Sequence, residues 1–353
     1  MKKQLLTISL SVFALTSFAK IRIVDNKGSN PKNYTSLQTA IDESAIGDTI
    51  YVAGSMTTYG DVIVGKKIVI AGEGLSSVNQ RSKLSSLTFN NQLASGSKIF
   101  GLTIDALKVE TEILSDLELA YNKIGSYTGL FNYKGIDKSA ILFGATIYNN
   151  NWVNGFGIDI SGSVFSNNFV TEMSGFNMNI NDKTNISVSI VANNHFSENV
   201  TTESTVSSFT YLNFQNNLVS GGKKYGVVLM IYTNKTATVL QNNLFSEGTS
   251  FSDGIVTYSD KAPAGNYLEY IDDIFLENGK NYHLKATSKG VKAGLDGTDV
   301  GIYGGLYPWQ DFEGTTDVTK FRSRFAMITG MTMKSNAPSN STINVELKAK
   351  AIK

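Results

Sequence analysis

The chain has 353 residues, 32 of them Gly and 4 Pro, and its 31 Lys and Arg nearly balance 30 Asp and Glu for a formal charge of +1. Charged residues make up only 17%, which speaks against a nucleic-acid footprint or a polyanion-seeking surface. Cysteine is absent, so disulfides, thiolate metal sites and a cysteine nucleophile are excluded.

Residues 1–19 read as a secretory signal. Lys2 and Lys3 give a positive start, Leu5 to Leu15 an apolar stretch, and Ser17-Phe18-Ala19 a small-x-small cleavage site. The apolar run is shorter than the roughly 20 residues of a membrane span. The expectation is an exported protein, secreted or at the cell surface, starting near Lys20 and without a membrane span. Ile21-Arg22-Ile23-Val24 predicts a strand. In 34–46 the apolar positions 37, 40, 41 and 45 fall on one helical face, with Ser36 or Thr35 as N-cap. Gly47-Asp48 turns the chain into the strand Thr49-Ile50-Tyr51-Val52-Ala53, and further strands are expected at 62–64, 68–72, 84–89 and 98–104.

The middle third carries a recurring Asn-Asn step, at Asn150-Asn151, Asn167-Asn168, Asn193-Asn194, Asn216-Asn217 and Asn242-Asn243, with intervals of 17, 26, 23 and 26 residues. Tyr121-Asn122 is a degenerate copy. Asn is the non-glycine residue that best tolerates the left-handed backbone region. A period in this range marks a solenoid, whose stacked turns, about 4.8 Å apart, let the Asn amides form a ladder. Second strands follow the turns. Period two puts Phe156, Ile158 and Ile160 inside with Asp159 outside, and Phe176, Met178 and Ile180 inside with Asn177 and Asn179 outside. The stretch 225–232 is apolar throughout and its register stays open. Residues 309–353 form a tail in which Ile343, Val345 and Leu347 alternate, predicting a strand that covers the last turn or pairs beside it.

At the Asn steps the chain resembles the right-handed parallel β-helix proteins of the pectate-lyase-like superfamily. The helix followed by Gly-Asp-Thr-Ile-Tyr-Val resembles that superfamily's N-terminal cap, and 282–308 resembles the terminal coil of secreted bacterial β-helix proteins. The resemblance implies an all-β, right-handed single-stranded parallel β-helix over 20–308 with an N-terminal capping helix in 34–46, followed by the tail 309–353. It implies polysaccharide as the partner, but no single activity, because that fold carries lyases, hydrolases, esterases and binding proteins. A monomer is expected.

Lyases on this fold use Lys or Arg as base and neutralise a uronate with Ca²⁺ or basic groups. Here Lys223 and Lys224, after Gly221-Gly222, are the candidate bases, in what otherwise reads as a solvated turn. Asp159, Asn177, Asn179, Glu203 and Tyr232 are the candidate substrate-binding residues, and Ca²⁺ is the one cofactor a lyase would bring. Hydrolysis needs two facing carboxyl groups, and no Asp-rich motif supplies them. Asp296-Gly297-Thr298-Asp299 offers at most two carboxylates to a cation. His195 is expected to face solvent, and with His283 it forms neither a metal site nor a triad. Tyr121, Tyr127, Tyr133, Tyr148, Trp152, Tyr211, Tyr225 and Tyr232 are aromatic candidates for stacking on sugar rings, or else core and turn residues. The reading is a non-catalytic polysaccharide-binding protein, with a uronate lyase and a structural or adhesive surface protein as alternatives.

Overall fold

Short strands punctuated by single left-handed residues carry the chain repeatedly through the same sheets. The computed structural model describes residues 19–353 except 29, 75–80, 134, 154–156, 172–176, 180–187, 198–204, 207–211, 221–227, 232–238, 253–256, 259–261, 263, 310–326, 334–344 and 351–353. The expected secretory segment lies outside the described residues but for Ala19.

The first sheet has ten parallel strands, stacked in chain order from Ile21–Val24 through Thr49–Val52, Val69–Gly72, Lys98–Phe100, Glu118–Ala120, Thr146–Tyr148, Val164–Ser166, Ser189–Ala192 and Leu212–Gln215 to Val239–Gln241. The second sheet interleaves with it along the chain, from Asp61–Val64 to Tyr267–Glu269, and is parallel except for Ile136–Ser139 at its side. A third sheet of four parallel strands joins Ile113–Ser115, Ile141–Phe143, Gly157–Ser161 and Asn177–Asn179. The molecule is therefore all-β, with long stacked parallel sheets and few helices, an arrangement compatible with a parallel β-helix.

Register turns sequence alternation into columns. In the first sheet Ile50, Ile70, Ile99, Leu119, Ile147, Phe165, Val191 and Phe214 are successive partners, and all are buried. In the second, Leu84, Ile104, Ile124, Trp152, Val170, Phe196, Val219 and Phe245 do the same and belong to the same apolar cluster. Each such side chain stabilises by about 1.5–3 kcal/mol, against about 0–1 kcal/mol for an exposed ion pair. Burial of the two columns thus holds the sheets together. Ile158 and Ile160 are fully buried, as their alternation predicts.

Helix α1 (Leu37–Asp42) is shorter than the predicted 34–46. The Ser36 hydroxyl accepts from Thr39 N–H at its start, and the Ser44 hydroxyl donates to the Ile41 carbonyl at 2.6 Å where it ends. Leu37, Ala40 and Ile41 join the main core. Beside it the inner column of the first sheet ends in a charge, because Arg22 is the register partner of Ile50. Its guanidinium donates to Asp48 (3.3 Å), Tyr34 Oη (2.5 Å) and the Glu43 carbonyl (2.7 Å). Asp48 is buried and also accepts from Lys20 N–H (2.8 Å) and Ala45 N–H (3.0 Å). Burial alone would raise its pKa, but these donors outweigh it and hold the carboxyl below the usual aspartate value. A depressed folded pKa gives stability that is full above the unfolded value and is lost as pH falls through the folded one. Asp48→Ala is expected to cost roughly 2–4 kcal/mol in urea unfolding at neutral pH, because it strands three donors. A loss below about 0.5 kcal/mol would mean that water replaces the carboxylate.

After Tyr267–Glu269 the chain reverses. Helix α2 (Ile271–Ile274) leads into Phe275–Glu277, which pairs antiparallel with Asn281–Leu284. Residues 285–309 then run back in turns across the outside of the stack. This strap is held by the first residues of the Asn steps. Asn242 Nδ2 donates to the Ala293 carbonyl, Asn216 Oδ1 accepts from Leu295 N–H, and Asn167 Nδ2 donates to the Ile302 and Gly304 carbonyls. The Trp309 indole N–H donates to the Asn167 carbonyl. Beneath lie Phe169, His195, Leu218 and Leu244, the outward column of the second sheet. The stretch 282–308 therefore covers a face instead of adding a parallel rung. The physical reason is the column itself, which is polar at Lys83, Thr103, Lys123 and Asn151 and, His195 apart, turns apolar from Phe169 onward. In the tail, Val345–Lys350 is a strand that pairs antiparallel with Met327–Met333.

Candidate functional site

The Asn steps divide their labour. Asn149, Asn167, Asn193, Asn216 and Asn242 take φ of 52–57°, as Tyr121 does at 59°. The following residues, Asn122, Asn150, Asn168, Asn194, Asn217, Asn243 and Asn266, form a ladder in which each amide oxygen after that of Asn122 accepts from the amide of the preceding rung at 2.8–3.1 Å. The first regular step is thus Asn149-Asn150 rather than Asn150-Asn151, since Asn151 already stands in the strand Asn151–Trp152.

Of the predicted site residues, Lys223, Lys224, Glu203 and Tyr232 lie outside the described residues. Asp159 and Asn179 are register partners on neighbouring strands, and Asn177 is partnered by Gly157. That places Asp159 and Asn179 one rung apart, about 4.8 Å. The Asp296 segment is explained without a cation, because Asp296 accepts from Thr298 N–H and Oγ1 and Asp299 from Lys292 N–H. No group of three or more potential metal-ligating His, Cys, Asp or Glu occurs among the described residues.

His195 departs from expectation. It lies on the outer side of the sheet but does not face solvent, because the hairpin that leads into the strap covers it, leaving it 1% exposed between Phe169 and the hairpin residues Phe275 and Tyr282, with ring centroids at 5.0, 5.1 and 4.7 Å. Burial pushes its pKa down to about 3. Its Nε2 meets Ser220 Oγ at 2.8 Å, and Nδ1 has no hydrogen-bond partner among the described residues. A His-Ser pair sealed under aromatic rings, with no carboxylate bonded to the ring among the described residues, is not placed for nucleophilic catalysis. His283 stacks on Tyr303 at 3.7 Å.

Among the aromatic candidates Trp152 is fully buried, its indole N–H reaching Asn168 Oδ1 at 3.3 Å, and Tyr127 is buried too. Tyr133, Tyr211 and Tyr225 have no described side chain. Tyr148 belongs to a second outward column of the first sheet, which runs Tyr51, Ala71, Phe100, Ala120, Tyr148 in register. The three rings are half-buried, and each is separated from the next by an alanine. They therefore recur every second rung, about 9.6 Å apart. Tyr148 Oη donates to Glu118 Oε1 at 3.0 Å, while Lys98 Nζ pairs with Glu118 Oε2 at 2.7 Å. Burial and Glu118 raise the Tyr148 pKa, and burial and Glu73 push Tyr51 up to about 12, so both hydroxyls stay protonated. At the far end of the row Tyr307 of the strap stacks on Tyr148 at 4.2 Å, and Tyr121 meets Tyr148 edge-on at 5.7 Å. Beyond Tyr148 the same column continues as Ser166 and Ala192, both buried.

Tyr51, Phe100 and Tyr307 escaped the sequence reading. Counting back two residues from the ladder positions Asn122 and Asn150 would have found Ala120 and Tyr148 as one column, whereas Phe100 stands two before Leu102, which carries no side-chain amide. No Asn marks the turn after Tyr51, so that residue gave no such signal.

No protein-family model matches this chain, and no curated protein matches it. The fold and the row together define an all-β protein of stacked parallel sheets with an aromatic line along one outer face.

Proposed function

We propose that the chain is an exported, single-domain right-handed parallel β-helix of pectate-lyase-like type, closed at its N-terminal end by α1, that binds polysaccharide without cleaving it. The observation that carries the function is the row Tyr51, Phe100, Tyr148 at two-rung spacing. A ring with a flat apolar face suits the C–H face of a pyranose, and a straight line of such rings suits an extended polymer. The stacked sheets, the Asn ladder and the burial of α1 on the first rungs support the β-helix reading.

The test is affinity electrophoresis on a panel of neutral and uronate polysaccharides. Ultraviolet absorbance of unsaturated product is followed in parallel, with and without Ca²⁺, for wild type and for Lys223→Ala/Lys224→Ala. Retardation by a polymer with no absorbance change is the expected result. An absorbance rise abolished in the double variant would instead make the protein a uronate lyase with its base at Lys223 or Lys224. Neither retardation nor a rise would leave a structural or adhesive surface role.

A further inference from the structure

We infer that the polymer held by this row is an uncharged, β-linked glycan in extended ribbon form, lying along the stacking direction of the rungs. The inference rests on the polysaccharide reading above and names the ligand class of that same row.

Three features carry it. The first is pitch. In a flat β-linked ribbon successive sugars are flipped, so each face recurs once per disaccharide. A row of rings one disaccharide apart can therefore meet the same face at each contact. The row has such a period, because Ala71 and Ala120 hold the intervening rungs low and the rings recur about every 9.6 Å. The second is straightness. Tyr51, Phe100 and Tyr148 are linked through unbroken register, so they lie on one line across five rungs. A glycan that coils would meet one ring and leave the next.

The third is charge. Glu73 stands beside Tyr51, Glu118 beside Tyr148, and Lys98 is paired with Glu118. A uronate laid over these rings would meet the Glu73 carboxylate and a Lys98–Glu118 pair whose charges already cancel. A neutral sugar meets no such penalty, and its hydroxyls find acceptors in the same carboxylates. The row also has a defined end, since Tyr307 takes one face of Tyr148 and the column beyond it, Ser166 and Ala192, is buried.

The experiment measures affinity for hydroxyethyl cellulose, β-mannan, amylose and polygalacturonate, using wild type, Phe100→Ala and Ala71→Phe/Phe100→Ala. The double variant keeps the number of rings but moves one by a single rung, which destroys the two-rung pitch. Wild type is expected to prefer the β-linked neutral polymers. Phe100→Ala should weaken that binding on the order of three- to tenfold, and the double variant should not recover it. Recovery in the double variant, or amylose or polygalacturonate bound as tightly as the ribbons, would overturn this inference while leaving polysaccharide binding in place. Retention by none of the four polymers would overturn both. Far-ultraviolet circular dichroism checks folding, and if Ala71→Phe disturbs it, Phe100→Ala and the polymer ranking decide the matter alone.

Discussion

Asn168→Ala is expected to lower the unfolding free energy by about 4 kcal/mol, among the largest effects a single truncation can have. Asn168 is fully buried, and its amide serves three rungs at once. Its oxygen accepts from Asn150 N–H and Nδ2, both at 3.1 Å, and from the Trp152 indole. Its Nδ2 is shared among the Ile147 and Ser166 carbonyls and Asn194 Oδ1, at 3.0–3.1 Å. Alanine restores none of these, and each buried group left unpaired costs about 1–3 kcal/mol. Asn168→Asp should fare no better, since a carboxylate cannot donate to two carbonyls and an amide oxygen. Urea unfolding followed by circular dichroism provides the measurement. A loss below about 1 kcal/mol would show that the ladder decorates the stack without holding it.

Acidification should loosen, through His195, the hairpin that leads into the strap. Its pKa falls from the ordinary 6.5 to about 3 on folding, because burial opposes the charged ring. Between those values the unfolded chain binds a proton that the folded chain does not, so stability rises with pH across this window. The contribution is full above 6.5 and is lost, at about 1.4 kcal/mol per pH unit, as pH falls towards 3. Replacing the ring by an apolar one, His195→Phe, should remove that slope. Other groups titrate in both proteins, so the difference between the two pH profiles isolates the histidine. Trp309, packed in the strap with Phe169 and Ile302, gives a local fluorescence reading. Identical slopes in wild type and variant would refute the assignment.

How much of this could be read beforehand depended on whether the cause was local. The ladder was legible, because a left-handed residue and a buried amide must recur once per pass whatever surrounds them. Inner positions such as Ile158 and Ile160 were legible for the same reason, since period two is a backbone property. The fate of outward residues was not. His195 and Phe100 are both outward by parity, yet one is sealed and the other half-buried, and the difference lies in a segment about a hundred residues further on for His195. A clue did exist. The residue after each step changes from Lys123 and Asn151 to Phe169, His195, Leu218 and Leu244, which signals a covered face. The identity of the cover was hidden, because its longer part, 285–309, has no regular secondary structure to give it a periodicity.

That cover also bears on the order in which the molecule assembles. Ladder contacts join residues 18–28 positions apart, so rungs can be added one at a time as the chain emerges. The strap closes much later, with the Asn167–Ile302 contact spanning 135 positions, which adds about 1.5 kcal/mol of loop-closure entropy over a single rung. Until that closure, the outer faces of Phe169, His195, Leu218 and Leu244 stand in water as an apolar stripe on an otherwise finished stack. Such a stripe on a nascent chain invites pairing with another copy. The yield of monomer should therefore depend on how promptly residues 285–309 follow the rungs they cover.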